Sequence, residues 1–297
     1  MKTSQENNFG KLVLDVVSGT GKAGISTGFE KLDRYTGGFR GGNLAVIASR
    51  PRAGKSAYAI SLAVNIAFGE NPVPVGFFSF ELNRTAITER IIANKARIDL
   101  WAMRNGKSTP EDRAEMMKTA EFLYNRSENF IISDTPGISL EEFVRQTREM
   151  VSEKGVKIVF VDGIGMVGQE NHSISQFDRA MDVCRTLKLL TEELSISIIC
   201  ICPVRTSKNQ PRPPVLADLR EFGLLDELAD QVIFLDDNSW SFDSSDYSEK
   251  EDENGIFSKQ RRIRIIVAKN RYGYGGIFYA NMDTSCFCFE EVEPIRF

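Results

Sequence analysis

The sequence has almost none of the histidine on which many hydrolases and metal enzymes depend. Among its 297 residues the single histidine is His172, and it lies in a polar stretch. Histidine is the side chain that titrates near neutral pH and the commonest metal ligand, so histidine-based catalysis and histidine–metal sites are nearly excluded. His172 itself is predicted to be a surface loop residue.

Cysteine is scarce and wrongly spaced for a disulfide framework or a zinc site. The five cysteines form two C-x-C pairs, Cys200 with Cys202 and Cys286 with Cys288, and leave Cys184 alone. Zinc sites commonly use C-x2-C spacing instead. Because residues two apart on a strand point to the same face, each pair is predicted to be two buried, reduced thiols.

Long apolar runs and an excess of positive charge are also missing. No stretch approaches the roughly 18 apolar residues of a membrane span, and the N-terminal residues lack the basic and apolar regions of a secretory signal. We therefore expect a cytoplasmic protein with no membrane partner. The 37 basic and 41 acidic residues give a net charge of -4, so any nucleic-acid contact should be local. Residues 236–253 hold eight of the acidic side chains and are predicted to form a solvated loop between strands.

What is present divides into a short N-terminal segment and one large domain. Residues 1–23 are predicted to form a short amphipathic helix with a flexible linker, and residues 24–297 the main domain. The helix is indicated by apolar side chains at helical spacing, namely Phe9, Leu12, Val13, Val16 and Val17. A helix this short cannot bury its stripe alone, so we expect it to dock on its own domain or on a neighbour.

From residue 25 onward, apolar β-rich runs alternate with helical patterns. Thr109 before Pro110 indicates the start of one helix, and Ser139 with Glu142 predicts a capping box at the start of another. Continuous apolar strands that alternate with capped helices indicate an α/β fold whose mostly parallel central sheet is flanked by helices. The last strands follow one another without long helices and are expected to be antiparallel edge strands at the C-terminal end. The predicted strands are residues 44–48, 75–80, 130–133, 157–161, 197–201, 231–235, 262–268 and 277–281.

The strongest chemical signal is a strand that leads through a tight turn into a helix, with the sequence LAVIASRPRAGKS. Backbone N–H groups and a helix N-terminus suit a triphosphate. Lys55 can reach the outer phosphates and the Ser56 hydroxyl can hold Mg2+, although Ser49 stands where the usual pattern has glycine. The predicted ATP-binding residues of this turn are Ser49, Arg50, Pro51, Arg52, Ala53, Gly54, Lys55 and Ser56.

Two carboxylates end other predicted strands. Asp162 lies at the carboxyl edge of the sheet, where ligands of α/β proteins bind. It is predicted to hold Mg2+ and nucleotide together with Ser56. Glu81 closes the run FFSFE and is a candidate for orienting the water that hydrolyses ATP. The alternative for Glu81 is an acid at a helix N-terminus, where the helix dipole favours it.

Together these segments resemble the RecA-like motor domain of the DnaB-type replicative helicases. The resemblance runs in order from about residue 24 to the end and implies the fold of a RecA-like P-loop NTPase. These helicases usually carry an N-terminal helical domain as well, so the sequence is expected to be a piece of a longer protein or a shortened relative. The matching segments are ISTGFEKLD at 25–33, GGNL at 41–44, ASRPRAGKS at 48–56, FSFEL at 78–82, DLREFG at 218–223, AD at 229–230 and AKNRYG at 268–273.

The resemblance implies further residue roles. Lys269 and Arg271 would project across a subunit interface to the neighbour's γ-phosphate and complete its catalytic site. Arg220, Glu221 and Gly223 would lie on a loop that faces a central channel and would touch the phosphates of single-stranded DNA.

Cys202 departs from the family pattern. It stands where these helicases usually have a glutamine that senses the γ-phosphate. A thiol is a poor hydrogen-bond partner for phosphate, and Pro203 beside it lacks an N–H. Weaker coupling of hydrolysis to movement is therefore expected.

The resemblance thus implies an ATP-dependent replicative DNA helicase motor with catalytic groups Lys55, Glu81, Lys269 and Arg271. It would hydrolyse ATP with Mg2+ at subunit interfaces, translocate 5′–3′ on single-stranded DNA and unwind duplex. Expected partners are single-stranded DNA, further copies of the chain in a hexameric ring, and primase or a helicase loader.

The alternative is an ATP-binding assembly or loading module of the same family, with weak hydrolysis and no processive unwinding. Cys202 favours this alternative. A RecA-like recombinase is a third possibility, and the match at residues 218–223 disfavours it.

Overall fold

The computed structural model describes residues 9–18, 24–169, 175–204, 212–237 and 260–293. His172 and the predicted acidic loop beyond residue 237 lie outside the described residues. In the described ranges no helix is both long enough and apolar enough to cross a membrane.

One sheet forms the centre of the described structure. Its strands run in the order β3-β2-β4-β5-β1-β6-β7-β8-β9 from edge to edge. Neighbours from β3 to β6 pair in parallel, and those from β6 to β9 pair antiparallel, so the predicted α/β sheet with antiparallel C-terminal edge strands is confirmed. In chain order the strands are Leu44–Ser49, Val75–Ser79, Phe130–Ser133, Ile158–Asp162, Ser197–Pro203, Gln231–Asp236, Gln260–Asn270, Gly276–Asp283 and Cys288–Val292.

The eight predicted strands are all present, and β9 is an addition. Its sequence CFEEV places two glutamates after two apolar residues, which masks the alternation typical of a strand. β9 forms because it completes a hairpin with β8, in which Asp283 lies opposite Cys288.

Helices cover both faces of the sheet. The described helices are α1 (Phe9–Val17), α2 (Glu30–Thr36), α3 (Lys55–Phe68), α4 (Arg84–Ala96), α5 (Leu100–Arg104), α6 (Pro110–Tyr124), α7 (Leu140–Lys154), α8 (Gln176–Leu194) and α9 (Leu225–Leu228). Short 3-10 helices occupy Ser127–Asn129, Ile164–Met166 and Leu216–Phe222. α1 leaves the side chains of Phe9 and Val17 exposed, and its docking on a surface stays a prediction.

The two predicted helix starts differ in detail. At α6 the Thr109 hydroxyl accepts the Asp112 N–H at 3.1 Å, and the Asp112 carboxylate accepts the Thr109 N–H at 3.0 Å, which is a full capping box. At α7 the Ser139 hydroxyl accepts the Glu142 N–H at 3.0 Å, but the predicted capping box is wrong in its second half. The Glu142 carboxylate binds Arg145 instead, because a charge-assisted pair is stronger than a bond to a neutral N–H.

The core consists of two apolar clusters, one on each face of the sheet. Strand residues such as Phe77 and Phe160 pack toward α3 and α4, whereas their neighbours such as Phe78 and Val161 pack toward α7 and α8. This alternation follows from the two-residue period of a strand. The cysteine prediction is confirmed, since all five cysteines are free and buried.

Truncation of Phe160 tests this packing. Phe160 is fully buried, and its ring stacks on that of Phe77 at a centroid distance of 5.8 Å. Phe160→Ala should lower the free energy of unfolding by about 3–5 kcal/mol, because it leaves a cavity. Chemical denaturation measures the change. Phe177→Ala is the control, because that ring is 54% exposed; equal losses in the two variants would contradict the assignment of this core.

Candidate nucleotide site

The turn between β1 and α3 has the geometry of an anion-binding loop. Gly54, at the cap of α3, has φ +92° and no side chain with which to cap the helix. The first N–H groups of α3 are therefore left for an external acceptor. A β-carbon at Gly54 would lie 2.7 Å from Met282 Sδ, in a flexible side chain that can shift, so the positive φ is the stronger reason for glycine at this position. Arg52 also adopts a left-handed conformation, with φ +71°.

The other predicted residues of the turn are placed as follows. Ser49 is buried at the end of β1, and its hydroxyl donates to the Arg50 carbonyl at 2.8 Å. Ala53 is fully buried, and Pro51 is exposed. The Arg50 side chain binds Asp236 Oδ1 through Nη1 at 3.2 Å, so its guanidinium pairs with a carboxylate at the end of β6.

Parallel pairing brings the two predicted carboxylates to the same sheet edge as this turn. Ser79 of β2 lies opposite Asp162 of β4, and Glu81 follows two residues later. Glu81 Oε2 is 3.7 Å from Lys55 Nζ. The Lys55 side chain is 15% exposed and that of Glu81 46%, so Glu81 stands at the open side of the site.

Asp162 is fully buried, and neither of its carboxylate oxygens has a hydrogen-bond partner among the described residues. Burial raises the pKa of Asp162 to about 6, while the nearby Ser56 hydroxyl opposes the shift without meeting hydrogen-bond geometry. A buried, unpartnered carboxylate beside a hydroxyl fits the way in which proteins hold Mg2+, through one or two oxygen ligands together with phosphate.

Arg90 is a charged residue of this site that sequence reasoning missed. Its guanidinium lies 4.7 Å from the centroid of the Phe287 ring, and its Nε is buried with no hydrogen bond to any residue that the structure describes. Burial lowers the pKa of Arg90, whereas the carboxylates of Asp162 and Glu81 raise it. Arg90 lies on α4, the helix after Glu81, and no motif in the sequence marks it.

The residues predicted to contact DNA lie near the end of the 3-10 helix Leu216–Phe222. Arg220 and Glu221 are exposed there, and Gly223 follows with φ +69° and a backbone so close to α8 that a β-carbon would lie 2.9 Å from the Met181 nitrogen. Glu221 shares a cavity of about 480 Å3 with Glu81, so this segment borders the nucleotide site.

Lys269 and Arg271 lie beside the amino end of β1, whereas the phosphate-binding turn lies at its carboxyl end. Arg271 Nη1 donates to Asp230 Oδ1 at 2.9 Å, and Asp230 Oδ2 accepts the N–H of Leu44, the first residue of β1, at 2.8 Å. Lys269 Nζ donates to the carbonyls of Asp226 and Glu227 at 2.8 Å each. The length of β1, about 17 Å at the usual strand rise, therefore separates these cations from their own phosphate-binding turn.

Cys202 faces the second apolar cluster, on the α8 side of the sheet, together with Cys184 and Cys200. Burial raises the pKa of the Cys202 thiol. Its strand neighbour across the ladder is Ala48 of β1. The thiol therefore packs as an apolar group and points away from the face of Asp162.

Known proteins are similar to this chain in sequence and fold. The family model for the DnaB-like helicase C-terminal domain matches residues 24–291. The replicative DNA helicase DnaB of Geobacillus stearothermophilus is 31% identical over 253 residues, which are 84% of this chain and 52% of that protein. The replicative DNA helicase DnaC of Bacillus subtilis is 30% identical over 253 residues, with the same shares. The chain thus spans about half the length of these relatives.

Two solved structures have a similar architecture. One of them, described as an ATPase domain, superposes with a TM-score of 0.84 at 25% identity, over 99% of this chain and 100% of that one. A DnaB-like replicative helicase, whose structure was described with its interactions with primase, gives a TM-score of 0.80 at 25% identity, over 99% of this chain and 68% of that one.

The raised pKa of Asp162 predicts how stability depends on pH without ligand. The folded protein holds this proton to about pH 6, higher than the unfolded chain does, so ionisation should lower the free energy of unfolding as pH rises from about 4 to 6. Complete ionisation of Asp162 should lower the free energy of unfolding by about 3 kcal/mol. Asp162→Asn should remove this dependence and be more stable than wild type above pH 6. Chemical denaturation across this pH range measures the difference.

Asp182→Asn serves as the control, because Asp182 lies on the exposed side of α8. It should keep the wild-type pH profile. A profile in Asp162→Asn that parallels the wild type would show that Asp162 does not titrate as described.

Proposed function

Because the chain belongs to the DnaB-like helicase C-terminal domain family, we propose that it is the ATP-driven motor of a replicative DNA helicase. It hydrolyses ATP at subunit interfaces, translocates along single-stranded DNA and unwinds duplex. The observation that carries the proposal is the meeting of Lys55, Glu81 and Asp162 at one sheet edge, next to an uncapped helix N-terminus.

Each of these groups has a role that follows from its position. The N–H groups at the start of α3 and the Lys55 ammonium bind the phosphates, and Ser56 and Asp162 would hold Mg2+. When bound, Mg2+ neutralises the charge that develops on the transferred phosphoryl group. Glu81 is exposed enough to receive a water molecule and accepts its proton as that water attacks. Arrival of the γ-phosphate draws Lys55 from Glu81 and frees the carboxylate for this task.

The neighbouring subunit supplies the remaining cations in this proposal. Lys269 and Arg271 lie about 17 Å from the phosphate-binding turn of their own chain, along β1, so they cannot reach their own nucleotide. A ring of identical chains, with six members as the family resemblance implies, would place them at the next subunit's γ-phosphate. The 5′–3′ direction of movement is likewise proposed from the resemblance.

DNA contact is proposed for the segment with Arg220, Glu221 and Gly223. Arg220 is exposed and offers a cation to the phosphate backbone on a chain whose net charge is -4. Binding of this kind is indifferent to sequence and weakens steeply with salt. DNA unwinding is proposed to take place in the cytoplasm. Primase or a helicase loader is proposed as a further partner.

The relatives do not favour the alternative of an assembly module without processive unwinding. The proteins that match over most of this chain are named replicative DNA helicases. In this proposal the buried thiol of Cys202 weakens the sensing of the γ-phosphate and leaves nucleotide binding unchanged.

Variants of Lys55 and Glu81 separate binding from hydrolysis. Lys55→Ala should abolish tight MgATP binding, because it removes the cation that faces the outer phosphates. Glu81→Gln should keep MgATP affinity but slow turnover by about 10^2–10^4-fold, because an amide cannot act as a base. Calorimetric binding and steady-state ATP turnover with single-stranded DNA give the two readouts. Equal loss of affinity in both variants would make Glu81 a structural residue.

Mixing of inactive subunits tests catalysis across the interface. Arg271→Ala and Lys55→Ala should each lose most turnover, since a trans arginine contributes about 10^3–10^5 in rate in related systems. Mixed rings contain interfaces that pair an intact Arg271 with an intact Lys55 site, so the mixture should regain activity. A mixture no more active than the average of its components, with mixed assembly verified by native mass spectrometry, would exclude a trans role.

A further inference from the structure

A chain of polar contacts joins the phosphate-binding turn to the segment with the proposed DNA-binding residues. The Arg50 guanidinium donates through Nη2 to the main-chain oxygen of Arg212 and through Nη1 to Asp236 at 3.2 Å. The Arg212 guanidinium binds Asp218 through two nitrogens, with Nη1 to Oδ2 at 2.8 Å and Nη2 to Oδ1 at 2.7 Å. The contacts thus lead from the end of β1 to the 3-10 helix Leu216–Phe222.

The two ends of this connection are buried, and its middle is partly exposed. The Arg50 side chain is 14% exposed and that of Asp218 is 7% exposed, whereas that of Arg212 between them is 38% exposed. Asp218 Oδ2 also accepts the N–H of Val215 at 2.9 Å, so one carboxylate fixes both Arg212 and the start of the 3-10 helix. A bidentate arginine–carboxylate pair fixes the relative orientation of the two side chains in addition to stabilising their contact.

The other end of the connection is anchored in the sheet. Asp236 of β6 is fully buried at its side chain and binds Arg264 of β7 as well as Arg50. The Arg50 carbonyl accepts the Ser49 hydroxyl at 2.8 Å and the Ala53 N–H at 3.3 Å. Arg50 therefore contacts the turn through its main chain, and through its guanidinium it contacts Arg212, which leads to the 3-10 helix Leu216–Phe222.

β5, the neighbour of β1 on the side away from β6, offers no comparable polar link at its end among the described residues. Among the described residues the Cys202 thiol has no hydrogen-bond partner and packs in the apolar cluster on the α8 side. Pro203 beside it cannot donate from its backbone. A polar signal from the turn toward residues 212–223 therefore has a direct path through Arg50.

We propose that Arg50, Arg212 and Asp218 form a bridge that couples nucleotide binding in the turn to the affinity of residues 216–223 for single-stranded DNA. This inference rests on the proposed function, and Arg212 and Asp218 act in it as positioning residues. Bound nucleotide fixes the turn, so Arg50 holds Arg212 and Asp218 in place. The DNA-binding segment then loses less conformational entropy when it binds a strand.

The test compares Arg212→Ala and Asp218→Asn with wild type. Arg212→Ala removes the ion pair but keeps the carbonyl that accepts from Arg50, and Asp218→Asn keeps an oxygen for the Val215 N–H. Fluorescence anisotropy gives the affinity for an oligothymidine with and without Mg2+ and a non-hydrolysable ATP analogue. In wild type the analogue should tighten DNA binding by about 5–150-fold, the usual range of coupling between sites. In both variants this factor should fall close to one, while affinity for the analogue without DNA stays as in wild type.

Arg148→Ala is the matched control, because Arg148 also binds a carboxylate through two nitrogens, at 3.1 and 3.0 Å to Glu193, on α7 and α8. It should keep the wild-type coupling factor. A wild-type factor in Arg212→Ala and Asp218→Asn would overturn the inference, and so would a loss of analogue affinity in the absence of DNA, since the bridge would then merely support the nucleotide site. Failure of the wild-type protein itself to bind the oligothymidine would instead overturn the proposed function, and the inference with it.

Discussion

The parallel register of β1, β2, β4 and β5 is the constraint on which the candidate site depends. It sets the carboxyl ends of these strands at one edge, so that groups far apart in sequence, Lys55, Glu81 and Asp162, meet there. A slip of β4 by one residue would turn Asp162 to the opposite face, among the apolar side chains that pack on α7 and α8. The apolar alternation of the strands therefore fixes the chemistry as well as the core.

The same register concentrates charge where it is poorly solvated. Within the described part of the chain, neither the Asp162 carboxylate nor the Nε of the nearby, partly buried Arg90 has a hydrogen-bond partner. The charges of Lys55 and Glu81 offset one another across 3.7 Å. Groups kept at such a cost are typical of functional sites, where stability is given up for binding. A nucleotide with its metal would supply the partners that these side chains lack.

Much of the fold and the positions of the main site residues could be predicted from the sequence, since both depend on local pattern. Apolar runs located the eight predicted strands, and the strand–turn–helix motif located Lys55. Contacts between distant segments left no such pattern. The cation of Arg90 reaches the site only through the packing of α4, the side chain of Arg50 turns to Asp236 at the end of β6, and β9 is a strand only because β8 pairs with it.

The central claim is that Asp162 is the protein's carboxylate ligand for the Mg2+ that accompanies the nucleotide. Proton release tests it most directly, because a carboxylate with pKa about 6 must be ionised to hold Mg2+. Calorimetric titration with preformed MgADP at pH 6, in two buffers of different ionisation enthalpy, counts the protons released on binding. Wild type should release about half a proton more than Asp162→Asn. Equal proton counts, with binding retained in both proteins, would contradict the account.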